Sequence, residues 1–200
     1  MGRPVEHGEQ TRDLLLAAAA RLLQEEGAGA VTVRRVAHEA GTTTRAVYSL
    51  FGDKEGLLRR LYHDAAETMR RQHEDVPECE DPVEEITALA LGYRRAALEH
   101  PHAYGLFMGM VPGFRATRDD RDLATRSLRR VLAALTRFVD AGVFPDREPR
   151  ALGMQLWAQV HGLASLELQG HLGSPGQAEL RWREAIAAHV WAYRQPRSSP

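Results

Sequence analysis

Apolar residues recur along this chain at steps of three and four, and strict apolar–polar alternation is almost absent. That period lays one apolar stripe along a helix, so the pattern predicts helices and no sheet. The first predicted helix covers residues 10–26, carries Leu14, Leu15, Ala18, Leu22 and Leu23, and stops at Gly27. Two short helices follow at 33–40 and 44–50, opened by Thr32 and by Thr42 or Thr43, with Gly41 between them. Gly52 breaks the chain again. Asp53 caps a fourth helix at 54–73, whose stripe is Leu57, Leu58, Leu61, Tyr62, Ala65 and Met69.

Past an acidic connector, Asp81-Pro82-Val83-Glu84 opens a fifth helix that runs to residue 99, with Asp as cap and Pro in the first turn. Pro101 opens a sixth that ends before Pro112, and a seventh spans 119–141. Pro149 opens an eighth, to residue 170, and the capping box Ser174-Pro175-Gly176-Gln177 opens a ninth, to residue 193. The expectation is an all-α chain of about nine helices. Residues 1–75 would form an N-terminal three-helix, helix-turn-helix domain with its connecting helix, residues 76–195 a helical body, and 196–200 a disordered tail.

Composition changes this picture little. Hydrophobic residues at 44% and charged residues at 26% suit a globular protein. The net charge of −1 excludes nucleic-acid binding through bulk charge alone, so any such role must be local. Arg34, Arg35, Arg45, Lys54, Arg59 and Arg60 cluster around the short helices, against Glu39, Asp53 and Glu55. The single cysteine, Cys79, forms no intramolecular disulfide and completes no metal set. Its acidic neighbours disfavour a reactive thiolate. No run has the apolar length of a membrane span, and the first residues lack the apolar core of a signal peptide, so a cytoplasmic protein is expected.

The short helices carry the candidate chemistry. Val33, Val36, Ala37, Ala46, Val47 and Leu50 supply inward faces. That leaves Thr42, Thr43, Thr44, Arg45, Tyr48 and Ser49 facing out, with Thr32, Arg34 and Lys54 at helix starts. Hydroxyls bond phosphates and base edges, a Thr methyl meets a thymine methyl, and Arg forms a paired contact with guanine. These nine residues are the DNA-binding candidates, and the expected partner is double-stranded DNA. No Ser-His-Asp set, phosphate-binding glycine loop or paired carboxylates appear, and His100 and His102 lack a third ligand. No catalytic residue, cofactor or metal is therefore expected.

The segment at 32–58 resembles the N-terminal domain of the TetR family of bacterial transcriptional repressors. The resemblance rests on Thr32-Val33, Val36-Ala37, Ala40-Gly41, Val47-Tyr48, Phe51, Lys54-Glu55 and Leu57-Leu58. It implies that residues 43–49 form the recognition helix, that Tyr48 and Lys54 meet the DNA backbone, and that Phe51 locks the two short helices together. Leu50 departs from the aromatic or His that the family often has, so a DNA contact from that position is not expected.

Trp157-Ala158-Gln159-Val160-His161-Gly162 resembles the Trp–His–Gly signature of one C-terminal subgroup, which suggests that Trp157 and His161 look into the body. The resemblance implies a small-molecule effector and a homodimer made through the last two helices, and hence a pseudo-palindromic DNA operator. The ligand-binding candidates are Tyr93, Tyr104, Phe107, Met108, Met110, Trp157 and His161, an adaptable set suited to a hydrophobic or aromatic effector. Leu152, Leu156, Val160 and Leu163, with Ile186, Val190 and Tyr193, are the expected dimer faces. A helical ligand-binding or metal-responsive protein without DNA binding is the alternative.

Overall fold

The computed structural model of the chain describes residues 4–196, with side chains from residue 8 onward. The expected tail therefore lies outside the described residues except for Pro196. Among those residues there are ten helices and no strand: α1 (Pro4–Glu26), α2 (Val33–Glu39), α3 (Thr44–Phe51), α4 (Lys54–Glu74), α5 (Pro82–Glu99), α6 (Pro101–Phe107), α7 (Arg118–Ser127), α8 (Arg129–Asp140), α9 (Pro149–Leu168) and α10 (Pro175–Tyr193).

Three elements differ from the pattern reading. α1 begins at Pro4 rather than near residue 10, because Pro suits a first helical turn and Gly8 is tolerated inside the helix. The expected sixth helix ends at Phe107, short of Pro112, and Gly109 turns the chain at φ 72°. The expected seventh helix is two, broken at Leu128 with φ −94° and ψ 3°. There the carbonyl of Ser127 accepts a hydrogen bond from the buried His73 ring, Nδ1 to O 3.1 Å.

The helices pack into two compact units. The first holds residues up to 67 together with 100–124, and the second holds 68–99 together with 125 onward. The expected division after residue 75 follows the order of the chain. Packing instead cuts within α4 and α7, and groups α6 with the N-terminal helices.

The first unit has a core of short aliphatic side chains: Leu15, Ala18, Ala19, Leu22 and Leu23 of α1, Val36 and Ala37 of α2, Val47 of α3, and Leu57, Leu58 and Leu61 of α4. Leu106 and Phe114 join that core from the later segment. The Tyr62 ring lies 5.3 Å from Phe107 and 5.7 Å from Phe114.

The second unit is built on α5, α8, α9 and α10. Ile86, Leu89, Tyr93, Leu135, Phe138, Leu152, Leu156, Trp182, Ile186 and Val190 fill it. Phe144 is a hub, with its ring 5.5 Å from both Phe138 and Tyr193. Charge is buried here too. Glu85 is fully enclosed, takes Arg130 at 2.7 Å and Arg137 on its other oxygen, and accepts the Cys79 N–H at 2.9 Å. Arg94 pairs with Glu167 at 2.7 Å, and the Trp182 indole donates to the same carboxylate at 2.8 Å.

Candidate nucleic-acid interface

Local chemistry fixes the short helices of the first unit. The Thr32 hydroxyl oxygen accepts the Arg35 N–H at 3.3 Å and so caps α2, and the Thr43 oxygen does the same for Ala46 and α3, also at 3.3 Å. Each hydroxyl keeps its own hydrogen, which remains available for an outside acceptor. Gly41 sits at φ 63°, in the left-handed region that closes the turn, and the Thr42 N–H returns to the Ala37 carbonyl at 2.9 Å. At the far end of α3, Gly52 at φ 81° donates to the Tyr48 carbonyl at 3.0 Å.

α4 is seated tightly behind α3. The Asp53 carboxylate accepts the Gly56 N–H at 2.8 Å and caps α4. A Cβ on Gly56 would stand 1.8 Å from the Phe51 carbonyl oxygen, so only glycine allows this approach. Gly56 was not among the sequence candidates. The available signal was a glycine in the first turn of a helix, where local propensity gives no reason for one.

The result is a short helix with one buried side and one open side. Val47 is fully buried, and Ala46, Leu50 and Phe51 are half-buried against the core. Thr43, Thr44, Arg45, Tyr48 and Ser49 are exposed, and Tyr48 keeps 56% of its surface in solvent. Thr32 and Arg34 are exposed beside them, and Thr42 is half-buried.

The cations of the cluster do not share one fate. Arg35 is held by Glu26, Nη1 to Oε2 2.7 Å. Arg59 is held by Glu55 at 2.6 Å and by Asp120 at 3.1 Å, and Arg60 by Asp64 at 3.2 Å. The Lys54 ammonium donates to the Ala28 carbonyl at 3.1 Å, inside the unit. Arg34 and Arg45 face solvent, and neither forms an ion pair among the described residues. The open face therefore carries two uncommitted guanidiniums, a row of hydroxyls and a phenol.

The effector candidates divide between the units. Tyr104, Phe107, Met108 and Met110 belong to the first and Tyr93, Trp157 and His161 to the second. Tyr93 and Tyr104 are buried, Phe107 packs on Tyr62, and Met110 is exposed. Trp157 keeps 36% exposure, and its ring stacks on His161 with centroids 5.9 Å apart. Each follows a buried residue by one helical step, Trp157 after Leu156 and His161 after Val160, and His161 is half-buried. Burial of the His161 ring lowers its pKa.

The expected dimer faces also need correction. Leu152, Leu156, Val160, Ile186, Val190 and Tyr193 are buried within their own unit, and Leu163 is half-buried. These two helices meet α5 and α8, which supply the cover that was assigned to a second copy. The exposed apolar residues are Met154, Trp157, Leu166 and Leu168 on α9, with Leu180 and Trp191 on α10.

Comparison with known proteins decides the family. Residues 15–61 match the model of the bacterial regulatory proteins of the tetR family, and residues 86–189, more than half of the chain, match the tetracycline-repressor-like C-terminal domain. The chain belongs to the TetR family. The second match spans Trp157, His161 and Gly162. The HTH-type transcriptional regulator Rv1816 of Mycobacterium tuberculosis is 25% identical over 205 residues, covering 87% of each chain. A protein of unknown function from Rhodococcus sp. RHA1 has the same fold, with TM-score 0.79, 25% identity, and 96% of this chain and 100% of that chain covered. The TetR family regulator PfmR from Thermus thermophilus shares the fold with TM-score 0.66 and 22% identity, over 88% of this chain and 97% of its own. This TetR-family chain is thus a transcriptional regulator with a helix-turn-helix. Among the described residues no helix is long and apolar enough to cross a membrane.

Proposed function

We propose that this protein is a homodimeric repressor that leaves a pseudo-palindromic operator when a small hydrophobic or aromatic molecule binds its C-terminal domain. The carrying observation is the open face of α3. Thr43, Thr44, Arg45, Tyr48 and Ser49 all stand in solvent while Val47 anchors the helix from behind. A helix of this kind enters a major groove with its leading residues on base edges and its flanks on phosphates. Arg34 and Arg45 are the cations free to bind DNA, while Thr32, Thr42 and Thr43 offer hydroxyl hydrogens to phosphate. Lys54 holds the Ala28 carbonyl with one of its three ammonium hydrogens, and the other two are left for phosphate.

Dimerisation is assigned to the outer faces of α9 and α10, where Met154, Leu166, Leu180 and Trp191 leave apolar surface in water. A two-fold pair reads two half-sites, which accounts for the palindrome. Effector binding lowers operator affinity by changing the separation of the two recognition helices, and by linkage the operator weakens effector binding by the same factor. The effector contacts are drawn from Tyr93, Trp157 and His161 in the second unit, or from Tyr104, Phe107, Met108 and Met110 in the first. Family membership and the absence of a recognisable catalytic set in the sequence support a regulator rather than an enzyme, acting in the cytoplasm.

A mobility-shift titration with the duplex upstream of the protein's own gene tests the reading. Binding should weaken steeply as salt rises, because phosphate contacts release counterions. A shift indifferent to ionic strength, or no selected sequence in a random duplex pool, would overturn it.

A further inference from the structure

Among the described residues, Asp120 is the buried carboxylate of the first unit, with only 2% of its side chain exposed. It lies in the first turn of α7, far in sequence from the short helices. Within α7 it completes a reciprocal cap: its Oδ2 accepts the Thr117 N–H at 2.8 Å, and the Thr117 Oγ1 accepts the Asp120 N–H at 3.2 Å. A cap alone needs no more. Yet Oδ2 also takes the Arg59 Nε–H at 3.1 Å, and Oδ1 takes the His63 Nε2 at 2.7 Å. Arg59 and His63 stand one turn apart on α4, on a different side from Leu57, Leu58 and Leu61, which face the core.

The segment 100–124 thereby gives α4 a second wall. Phe107 and Phe114 hold Tyr62, Leu106 enters the core, and His102 lies beside Gly27 at the end of α1. What α4 does is passed directly to α3, because Gly56 lets the two meet with no side chain between them.

We propose that Asp120 is a positioning residue for DNA reading: it clamps Arg59 and His63, sets α4, and through the Gly56–Phe51 contact fixes the attitude of α3. The DNA-reading unit is then discontinuous, and residues 100–124 are part of it. The claim about DNA rests on the operator-binding reading above; the claim about the clamp does not.

The test uses the full chain and the duplex that the wild-type protein selects from a random-sequence pool. Asp120→Asn keeps shape and loses the charge, and Arg59→Gln with His63→Gln removes the α4 side of the clamp. Thr117→Ala removes half of the cap and leaves the clamp intact. Affinity is read well below the thermal midpoint, with helix content checked by circular dichroism. Amide exchange is followed at residues 44–67 and 149–193.

The first two variants should lose roughly tenfold to a hundredfold in affinity. Their faster exchange should be confined to 44–67, and Thr117→Ala should bind like wild type. The proposal falls if Asp120→Asn binds normally with only a lower thermal midpoint, if Thr117→Ala loses as much as Asp120→Asn, or if exchange rises in both segments alike. If the wild-type chain selects no duplex, the operator reading fails. Exchange confined to 44–67 then still supports the clamp, and unchanged exchange overturns it.

Discussion

The two units treat charge in opposite ways. The first turns its guanidiniums and hydroxyls outward on α2 and α3 over an aliphatic core, and encloses one carboxylate, Asp120. The second takes ions inside: Glu85 between Arg130 and Arg137, and Arg94 against Glu167 with the Trp182 indole. The difference follows from what each must do. Donors that are to meet phosphates and bases must be unpaired and solvated beforehand, since a committed donor has to break a bond to bind. Donors that hold helices in register are worth desolvating only when their partners are fixed.

The sharpest way to break the comparison is to unpair a buried ion. Glu85→Ala leaves the largely enclosed Arg130 without its carboxylate, while the more exposed Arg137 keeps the Cys79 carbonyl and Glu78. The expected loss is about 3–5 kcal/mol of folding stability. All three tryptophans, Trp157, Trp182 and Trp191, lie in the second unit, so urea unfolding followed by tryptophan fluorescence reads this loss directly. A change below about 1 kcal/mol would mean that the pairs contribute little beyond their packing.

Next in size is Gly56→Ala, which drives a methyl into the Phe51 carbonyl oxygen at 1.8 Å and forces α4 off α3. Overpacking of this kind costs about 1–3 kcal/mol. It should fall on the reader: operator binding is lost while tryptophan-detected unfolding changes far less. Equal damage to both units would show that they are not separable in folding.

Acid sharpens the contrast further. Burial lowers the His73 pKa, so the folded chain keeps that ring neutral. The unfolded chain takes up a proton below about pH 6.5, and stability declines as pH falls from there. Asp120 is held well below the carboxylate range because His63, Thr117 and Arg59 bond its charged form against the opposing effect of burial. Glu85 is lowered as well: burial opposes its charge, but the Cys79 N–H and the two arginines prevail. Their contributions are complete above the unfolded carboxylate value near 4 and disappear as pH falls through the lower folded values. Urea midpoints across pH 7 to 3 should therefore drop in two stages. Asp120→Asn should shrink only the second, leaving the part that Glu85 supplies, and an undiminished second stage would refute that assignment.

The same contrast explains what the sequence revealed. The reader was legible because its determinants are local: Thr32 and Thr43 cap, Gly41 and Gly52 turn, and Val47 alternates with exposed neighbours within one helix. Family resemblance added the role of that helix. The body was legible as helices but not as an arrangement. Arg94 finds Glu167 across 73 positions, and Arg59 finds Asp120 across 61, separations that no periodicity announces. For the same reason the stripe of Leu152, Leu156 and Val160 suggested a dimer face, when α5 and α8 cover it. The break at Leu128 escaped because no Gly or Pro marks it, and the His73 ring that meets the Ser127 carbonyl there lies 54 residues away. Gly56 was visible, but its reason was not.

The smallest effect on folding belongs to the most consequential pair for binding. Arg45 and Tyr48 are exposed, so replacing both by alanine should leave stability within about 0.5 kcal/mol. The decisive measurement is the affinity of Arg45→Ala with Tyr48→Ala for the duplex selected by the wild-type chain, at fixed salt. A loss of at least about a hundredfold is expected, with helix content and the unfolding midpoint unchanged. Wild-type affinity in that double variant would show that the open face of α3 is not the surface that reads DNA.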